Sequence, residues 1–118
     1  MVLVDTSVWV EHLRQGTVGL DDLLLAGRVV CHPFIVGELA CGNLKNRSEI
    51  LALMQELPRA VEAEHQEVTN FIENNGLMGK GLGFIDLHLL ASARLTGIPL
   101  WTLDKRLKRE ATNLRLIS

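Results

Sequence analysis

Four acidic residues are the side chains of this sequence best suited to chemistry, because each one adjoins a predicted strand or lies in a predicted helix. Asp5 and Asp104 directly follow apolar runs, whereas Glu38 and Asp86 lie in stretches with helical periodicity. Two like charges about 4 Å apart repel by roughly 4 kcal/mol at an effective dielectric of 20, so carboxylates that meet need protons or a cation. Oxygen ligands alone favour Mg²⁺ or Mn²⁺ over Zn²⁺.

Strands position the two aspartates. Val2, Leu3 and Val4 form a continuous apolar run, which is typical of a parallel strand buried on both faces. Ligands of open α/β sheets gather at the carboxyl ends of strands, and Asp5 stands at such an end. The alternative is that Asp5 only caps the helix that follows it and ends at Gly16. Residues 100–103 and the acid that follows them repeat this arrangement.

Helices position the other two acids. Glu38 lies on or beside the apparently buried face of a helix that begins at Pro33, where an unpaired carboxylate is costly to desolvate. An arginine partner is the alternative explanation. Asp86 lies in the first turn of a helix predicted over residues 85–95 and shares an inward stripe with Leu90 and Ala93. The helix dipole alone could also account for an acid in this turn.

The remaining patterns predict an α/β sandwich with a mostly parallel sheet. Strands are expected over residues 2–4, 28–31, 100–103 and 114–117, separated by helices that include 48–57 and 64–74. Val10 and Leu53 are assigned to the inward faces of their helices. The glycine-rich stretch 76–83 matches neither a phosphate loop nor a dinucleotide fingerprint, so it is interpreted as a connector.

Composition restricts the class of protein. The chain has 118 residues, 47% of them hydrophobic and 22% charged, which indicates a single folded domain over residues 1–118. No apolar run reaches the length of about 20 residues that a membrane span needs, and no signal-peptide pattern opens the sequence. We therefore expect a cytoplasmic protein. Cys31 and Cys41 are expected to be free, buried thiols.

The acids and their neighbours resemble a known family. Val-Asp-Thr-Ser-Val-Trp around Asp5, Glu38-Leu39 after a strand, Asp86 opening a Leu/Ala-rich helix and Thr102-Leu-Asp104 occur in the order found in PIN-domain ribonucleases, specifically the VapC toxins. The resemblance covers essentially the whole chain. It implies a three-layer α/β/α fold with a five-stranded parallel sheet, endoribonuclease activity that depends on Mg²⁺ or Mn²⁺, a homodimer, and a VapB-type antitoxin as partner.

The same resemblance assigns roles to the four acids. Asp5 and Asp86 match the principal metal ligands, Glu38 matches the acid that completes the catalytic site, and Asp104 matches a more variable acid with a supporting role. Three hydroxyl residues are candidates to hold these carboxylates by hydrogen bonds, with plain helix capping left open: Thr6, Ser7 and Thr102. None of the histidines at positions 12, 32, 65 and 88 is assigned to the metal.

The expected reaction is attack of a metal-bound water on a phosphodiester of single-stranded or looped RNA, leaving a 5′-phosphate and a 3′-hydroxyl. Basic residues could line the approach of the RNA or simply form a solvated surface: Lys80, Arg94, Lys105, Arg106, Lys108 and Arg109. With no Tyr and only 4% aromatic residues, extensive base stacking is not expected, and RNA shape is the predicted basis of substrate choice.

Three alternatives are considered. A phosphorylatable receiver domain also gathers carboxylates and Mg²⁺ at a sheet edge, but it needs an acidic pair where this sequence has Asp5-Thr6-Ser7. A haloacid dehalogenase phosphatase needs a second Asp two places after Asp5. A PIN scaffold that only binds RNA is the other alternative, and the loss of an acid would mark it; all four acids are present.

Overall fold

The computed structural model describes residues 1–118 and contains seven helices and three short strands. In chain order they are β1 (Val2–Val4), α1 (Thr6–Gln15), α2 (Leu20–Leu25), β2 (Val29–Val30), α3 (Pro33–Ala40), α4 (Arg47–Glu56), α5 (His65–Asn75), α6 (Phe84–Thr96), β3 (Leu100–Trp101) and α7 (Lys105–Asn113). The predicted helices all form, and their ends differ from the predictions by one or two residues. The stretch 76–83 forms no helix or strand, which confirms its interpretation as a connector.

The sheet is parallel, with the strand order β2-β1-β3. Single bridging residues extend it at both edges, since Arg59 pairs with Cys31 and Ile117 pairs with Leu100, both in parallel. The predicted α/β/α fold with a mostly parallel sheet is confirmed, but the sheet has three strands rather than five, with single bridges where further edge strands were expected. The strand predicted over residues 114–117 reduces to one bridge, because Leu114 still caps α7 and Arg115 takes a left-handed conformation with φ of 59°.

The central strand β1 is the most deeply buried part of the sheet. Leu3 and Val4 have no exposed surface, and the fully buried Leu89 and Leu90 of α6 belong to the same apolar cluster. Two inward assignments are wrong, because Val10 is 38% exposed and Leu53 is 67% exposed. The buried β1 fixes the position of the residue that follows it.

The two cysteines are free, as predicted, but only Cys31 is buried, whereas Cys41 is exposed. The longest helix, α6, has 13 residues, and no helix combines the length and the apolar character needed to cross a bilayer.

Candidate active site

Asp5 stands at the carboxyl end of β1 and is only 6% exposed. It occupies the position before α1, yet its side chain makes no capping hydrogen bond. Instead, its Oδ2 accepts hydrogen bonds from the hydroxyls of Ser7 and Thr102, each 2.7 Å away. The two hydroxyls hold the carboxylate from the first turn of α1 and from the end of β3, so Asp5 is not simply a helix cap.

Thr102 connects Asp5 to Asp104. Its Oγ1, in a residue that is 2% exposed, also accepts the backbone N–H of Asp104 at 3.1 Å. The Oδ1 of Asp104 accepts the N–H of Leu107 at 2.9 Å and thereby caps α7. Asp104 itself is exposed, and its position depends on the same hydroxyl that holds Asp5.

Glu38 differs from its prediction. The residue is exposed rather than part of a buried helix face, so the desolvation cost expected for an unpaired carboxylate does not arise. The alternative of an arginine partner is also wrong, because the ion pairs of this structure join only His12 to Asp21 and Arg109 to Glu110. Its Oε1 accepts a hydrogen bond from the hydroxyl of Thr6 at 2.7 Å, which links α3 to the start of α1.

Asp86 lies in the first turn of α6, half-buried, and its Oδ2 accepts the N–H of Gly83 at 3.1 Å. Burial raises the pKa of this carboxyl above its usual value, and the hydrogen bond from Gly83 opposes that shift. The negative charges of three other acids raise the same pKa further: Asp5, Asp104 and Glu38. Asp86 therefore lies within electrostatic reach of all the other predicted site residues.

The four carboxylates share one pattern of hydrogen bonding. In each of them one oxygen accepts a hydrogen bond from the protein, and the other oxygen has no protein partner. We call this group the acidic site: Asp5, Glu38, Asp86 and Asp104. It has no compensating lysine or arginine, so mutual repulsion is left unbalanced within the protein.

These features suit a hard divalent cation. The free donors are all carboxylate oxygens, which Mg²⁺ and Mn²⁺ prefer, and the cation would balance the negative charge. No three of the side chains are already drawn together into a closed ligand set. Mg²⁺ commonly uses one or two carboxylates and keeps several waters, so Asp5 and Asp86 with water would meet its needs.

The predicted basic residues do not form one group. The guanidinium of Arg94 donates to the carbonyl of Leu114 at 3.2 Å and lies 5.9 Å from the Phe71 ring centroid, two turns of α6 beyond Asp86. Arg109 pairs with Glu110 at 3.0 Å. The remaining four are exposed: Lys80, Lys105, Arg106 and Lys108. Lys105 and Arg106 directly follow Asp104 in the sequence. These four residues remain candidates for contacts with phosphate groups.

Arg106 covers the glycine-rich connector. A Cβ atom at Gly81 would lie 3.0 Å from the side chain of Arg106, and Gly81 has a φ of +79°. The glycine thus permits a close approach between the start of α7 and the loop that leads into α6. Two members of the acidic site, Glu38 and Asp104, are exposed, so a polymeric substrate could reach them.

Three of the four histidines, to which no role was assigned from the sequence, belong to one row of rings that begins beside Glu38. The row runs, with centroids 4.8 to 5.3 Å apart, through His32, Phe34, His88, Phe84 and His65. One sequence signal was available: Phe34 lies one helical turn before Glu38, and Phe84 lies two residues before Asp86.

Comparison with known proteins identifies the class. A PIN-domain family model matches residues 2–112, and the chain belongs to the PIN-domain family. Within that family it is similar to ribonuclease VapC32 of Mycobacterium tuberculosis, from the CDC 1551 and H37Rv strains alike. Each match is 45% identical over 109 residues, which is 92% of this chain and 88% of the relative. The predicted resemblance to VapC-type PIN ribonucleases is confirmed.

A solved structure agrees on the fold. The crystal structure of PAE2754 from Pyrobaculum aerophilum matches with a TM-score of 0.62 and 18% identity, covering 98% of this chain and 88% of that one. Family membership leaves the receiver-domain and phosphatase alternatives without support. It does not by itself separate a nuclease from a PIN scaffold that only binds RNA.

Proposed function

We propose that this chain is an endoribonuclease that depends on Mg²⁺ or Mn²⁺ and acts as the toxin of a type II toxin–antitoxin pair. One observation carries the proposal: four carboxylates, each with one free oxygen, face no cationic side chain of the protein. The similarity to a VapC ribonuclease supports RNA as the substrate.

We assign the metal to Asp5 and Asp86, through the carboxylate oxygens that accept no hydrogen bond from the protein. A divalent cation at this position would lower the pKa of water and balance negative charge on the phosphate. Ser7 and Thr102 prevent the carboxylate of Asp5 from turning away. Gly83 does the same for Asp86 through its N–H. The chain thereby fixes two ligand directions before any substrate arrives.

Glu38 completes the catalytic site as the acid that would bind the metal directly or orient its water. Its exposure lets it reach solvent and substrate, and the hydroxyl of Thr6 limits its rotation. Asp104 has a supporting role, because one of its oxygens caps α7 and its backbone N–H bonds to Thr102. Arg106 and Lys105, at the start of α7, are positioned to contact the RNA backbone.

The products are expected to carry a 5′-phosphate and a 3′-hydroxyl. Cleavage through the 2′-hydroxyl would need a general base and a general acid at the scissile bond, a role that a histidine pair commonly fills. Here the nearest histidine in sequence to the acids is His88, which is 7% exposed and packs between two phenylalanine rings. Burial lowers the pKa of His88, and the charge of His65 lowers it further.

Regulation follows from the same similarity. We propose a cognate VapB-type antitoxin as the partner, a homodimer as the assembly, the cytoplasm as the location, and residues 1–118 as one catalytic domain. Single-stranded or looped RNA is the proposed substrate. Co-expression of the chain with and without its antitoxin would test the toxin role, because growth should stop only without the antitoxin.

A cleavage assay tests the enzymatic proposal. The wild-type protein, Asp5→Asn and the control Asp22→Asn are incubated with total RNA in Mg²⁺, in Mn²⁺ and in EDTA. Asp22 is an exposed carboxylate at the start of α2, so its loss should change nothing at the acidic site. We expect cleavage by the wild type and the control in either metal, and none by Asp5→Asn or in EDTA.

Three results would contradict the proposal. Cleavage that persists in EDTA would exclude the metal, and products ending mainly in a 2′,3′-cyclic phosphate would exclude the proposed chemistry. Equal cleavage by wild type and Asp5→Asn, with both proteins folded, would remove the acidic site from the reaction. RNA binding without cleavage by the wild type would favour the scaffold that only binds RNA.

A further inference from the structure

The row of rings beside the acidic site has an unusual combination of buried and exposed members. His88 is 7% exposed and meets Phe34 and Phe84 edge-on, with each centroid 4.8 Å away and interplanar angles of 75° and 89°. The two phenylalanines are 38% and 42% exposed. A buried imidazole therefore holds two phenyl rings at the surface, which fixes both rings without covering them.

Phe34 adjoins one of the four acids, and Phe84 is joined to Phe34 through His88. Phe34 and Glu38 are four residues apart on α3, a spacing that places side chains on one helix face. Phe84 and Asp86 are two residues apart at the start of α6, a spacing that puts their side chains on different helix faces, so Phe84 is placed by its packing on His88. A polymer bound beside Glu38 could therefore also lie against Phe34.

The position of these rings is more informative than their number. The chain has no Tyr and three Phe, and the two described here are its only aromatic side chains with large exposed surfaces. A nucleobase stacked on these rings would remove their apolar surface from water. The rings have no hydrogen-bonding groups, so they suit the flat face of a nucleobase and would tolerate any base.

We propose that Phe34 and Phe84, held by His88, form a stacking surface for a nucleobase next to the scissile phosphodiester of single-stranded RNA. The proposal rests on the proposed nuclease function and adds how the substrate is positioned. Stacking would select unpaired RNA, because a base inside a duplex does not present its face to a surface ring. RNA shape and these two rings together would then decide which sites are cleaved.

The test is a double-mutant cycle between ring and base. Binding of a mixed-sequence, single-stranded RNA oligonucleotide is measured in an Asp5→Asn background, so that the RNA stays intact. Each nucleotide of the RNA is replaced in turn by an abasic one, and each RNA is tested against proteins with Phe34→Leu, Phe84→Leu or neither change. Phe34→Tyr retains a ring, and Leu25→Ala, at a residue 88% exposed on α2, is the control.

We expect each Phe→Leu change to weaken binding by roughly 5- to 150-fold, the range measured for base–aromatic stacking. One abasic position should weaken binding to the unsubstituted rings by a similar factor and have little further effect once the ring is gone. Phe34→Tyr should restore both the affinity and the abasic penalty. Leu25→Ala should leave affinity unchanged.

Two outcomes would overturn the stacking surface. One is an abasic penalty that stays the same with and without the rings, and the other is no weakening in either Phe→Leu variant. Cleavage by the wild-type protein is measured separately. If the wild type cleaves RNA and the cycle finds no coupling, only the stacking proposal fails. If it cleaves nothing, the nuclease proposal fails, while the binding cycle still decides the role of the rings.

Discussion

Two buried carboxylates in this molecule have opposite surroundings. Glu110 on α7 is 4% exposed, and its oxygens meet the guanidinium of Arg109 at 3.0 Å and the amide of Asn113 at 3.4 Å. Asp5 is 6% exposed, and its hydrogen-bond partners are two neutral hydroxyls. Burial is nearly equal in the two places, whereas the balance of charge is not.

The difference separates a structural acid from a candidate functional one. The protein itself supplies the positive charge for Glu110, so that carboxylate needs nothing further. At the acidic site the protein supplies hydrogen bonds that fix direction, leaves one oxygen of each carboxylate free and gathers further negative charge. Such an arrangement is costly without a cation, and we infer that it is retained for the reaction that a cation makes possible.

The largest expected effect comes from removing a proposed ligand. Asp86→Asn should lower RNA cleavage by more than about 100-fold, the upper end of the losses seen when a residue that merely supports a metal ligand is changed. The matched variant Glu110→Gln also removes a charge from a buried carboxyl, but its activity per folded molecule should stay near that of the wild type. Steady-state cleavage rates, normalised to folded protein, measure both. Equal losses in the two variants would erase the distinction between the carboxylates.

The next largest effect is expected from removing the Thr102 hydroxyl, which holds Asp5. Thr102→Val keeps the shape of a residue that is 2% exposed but removes the hydrogen bonds to Asp5 and from Asp104. We expect a loss of about 10- to 100-fold in activity or metal affinity. Titration with Mn²⁺ alongside the cleavage assay should show whether metal affinity or the cleavage rate is lowered. Thr112→Val removes an exposed hydroxyl that donates to the Lys108 carbonyl and should have no such effect.

A smaller effect, on stability, is expected at the buried carboxylate of Glu110. Arg109→Gln leaves Glu110 buried without its cation, and we expect about 1 kcal/mol of lost stability, since the Arg109 side chain is 59% exposed and its pairing is partly screened. Urea unfolding monitored by the two tryptophans measures the change. An increase in stability on this substitution would mean that Glu110 does not depend on Arg109.

The smallest effect concerns Asp86 and pH. Because burial and neighbouring acids raise its pKa in the folded protein, the folded state binds more protons than the unfolded state does. This contribution to stability is present below the unfolded pKa of about 3.9 and is lost as pH rises through the folded pKa. At neutral pH without metal, Asp86→Asn should therefore raise Tm slightly, by less than about 4 °C.

Added Mg²⁺ provides a second comparison of the Tm of the wild type with that of Asp86→Asn. It should raise the Tm of the wild type by binding the folded state and have less effect on Asp86→Asn. Thermal melts across pH 3 to 8, with and without Mg²⁺, provide the measurement. If Asp86→Asn had a lower Tm than the wild type at neutral pH without metal, the sign of the predicted effect would be wrong.

Much of this molecule could be predicted from local patterns. Apolar runs locate β1 and β3, and helical periodicity locates α4, α5 and α6 to within one or two residues. The hydroxyls of Thr6, Ser7 and Thr102 follow strand ends or open a helix, so their hydrogen bonds to nearby acids could be anticipated, and these are confirmed. Placement along the chain was sufficient because each of these features depends on a few neighbouring residues.

Features that depend on packing between distant elements could not be predicted. The exposure of Glu38 and Leu53 is set by which helices lie against α3 and α4, and sequence periodicity does not reveal this. The row that joins Phe34 of α3 to His88 of α6 needs two helices separated by more than 40 residues to meet. The roles of the four acids stay predictions until they are tested on the protein.

Crystals grown with saturating Mn²⁺ test the central claim most directly, because anomalous scattering locates the ion. We predict a strong anomalous peak at the carboxyl end of β1, coordinated by oxygens of Asp5 and Asp86, that is absent from crystals of Asp86→Asn. A peak at a different place, or none between these two carboxylates, would contradict the account.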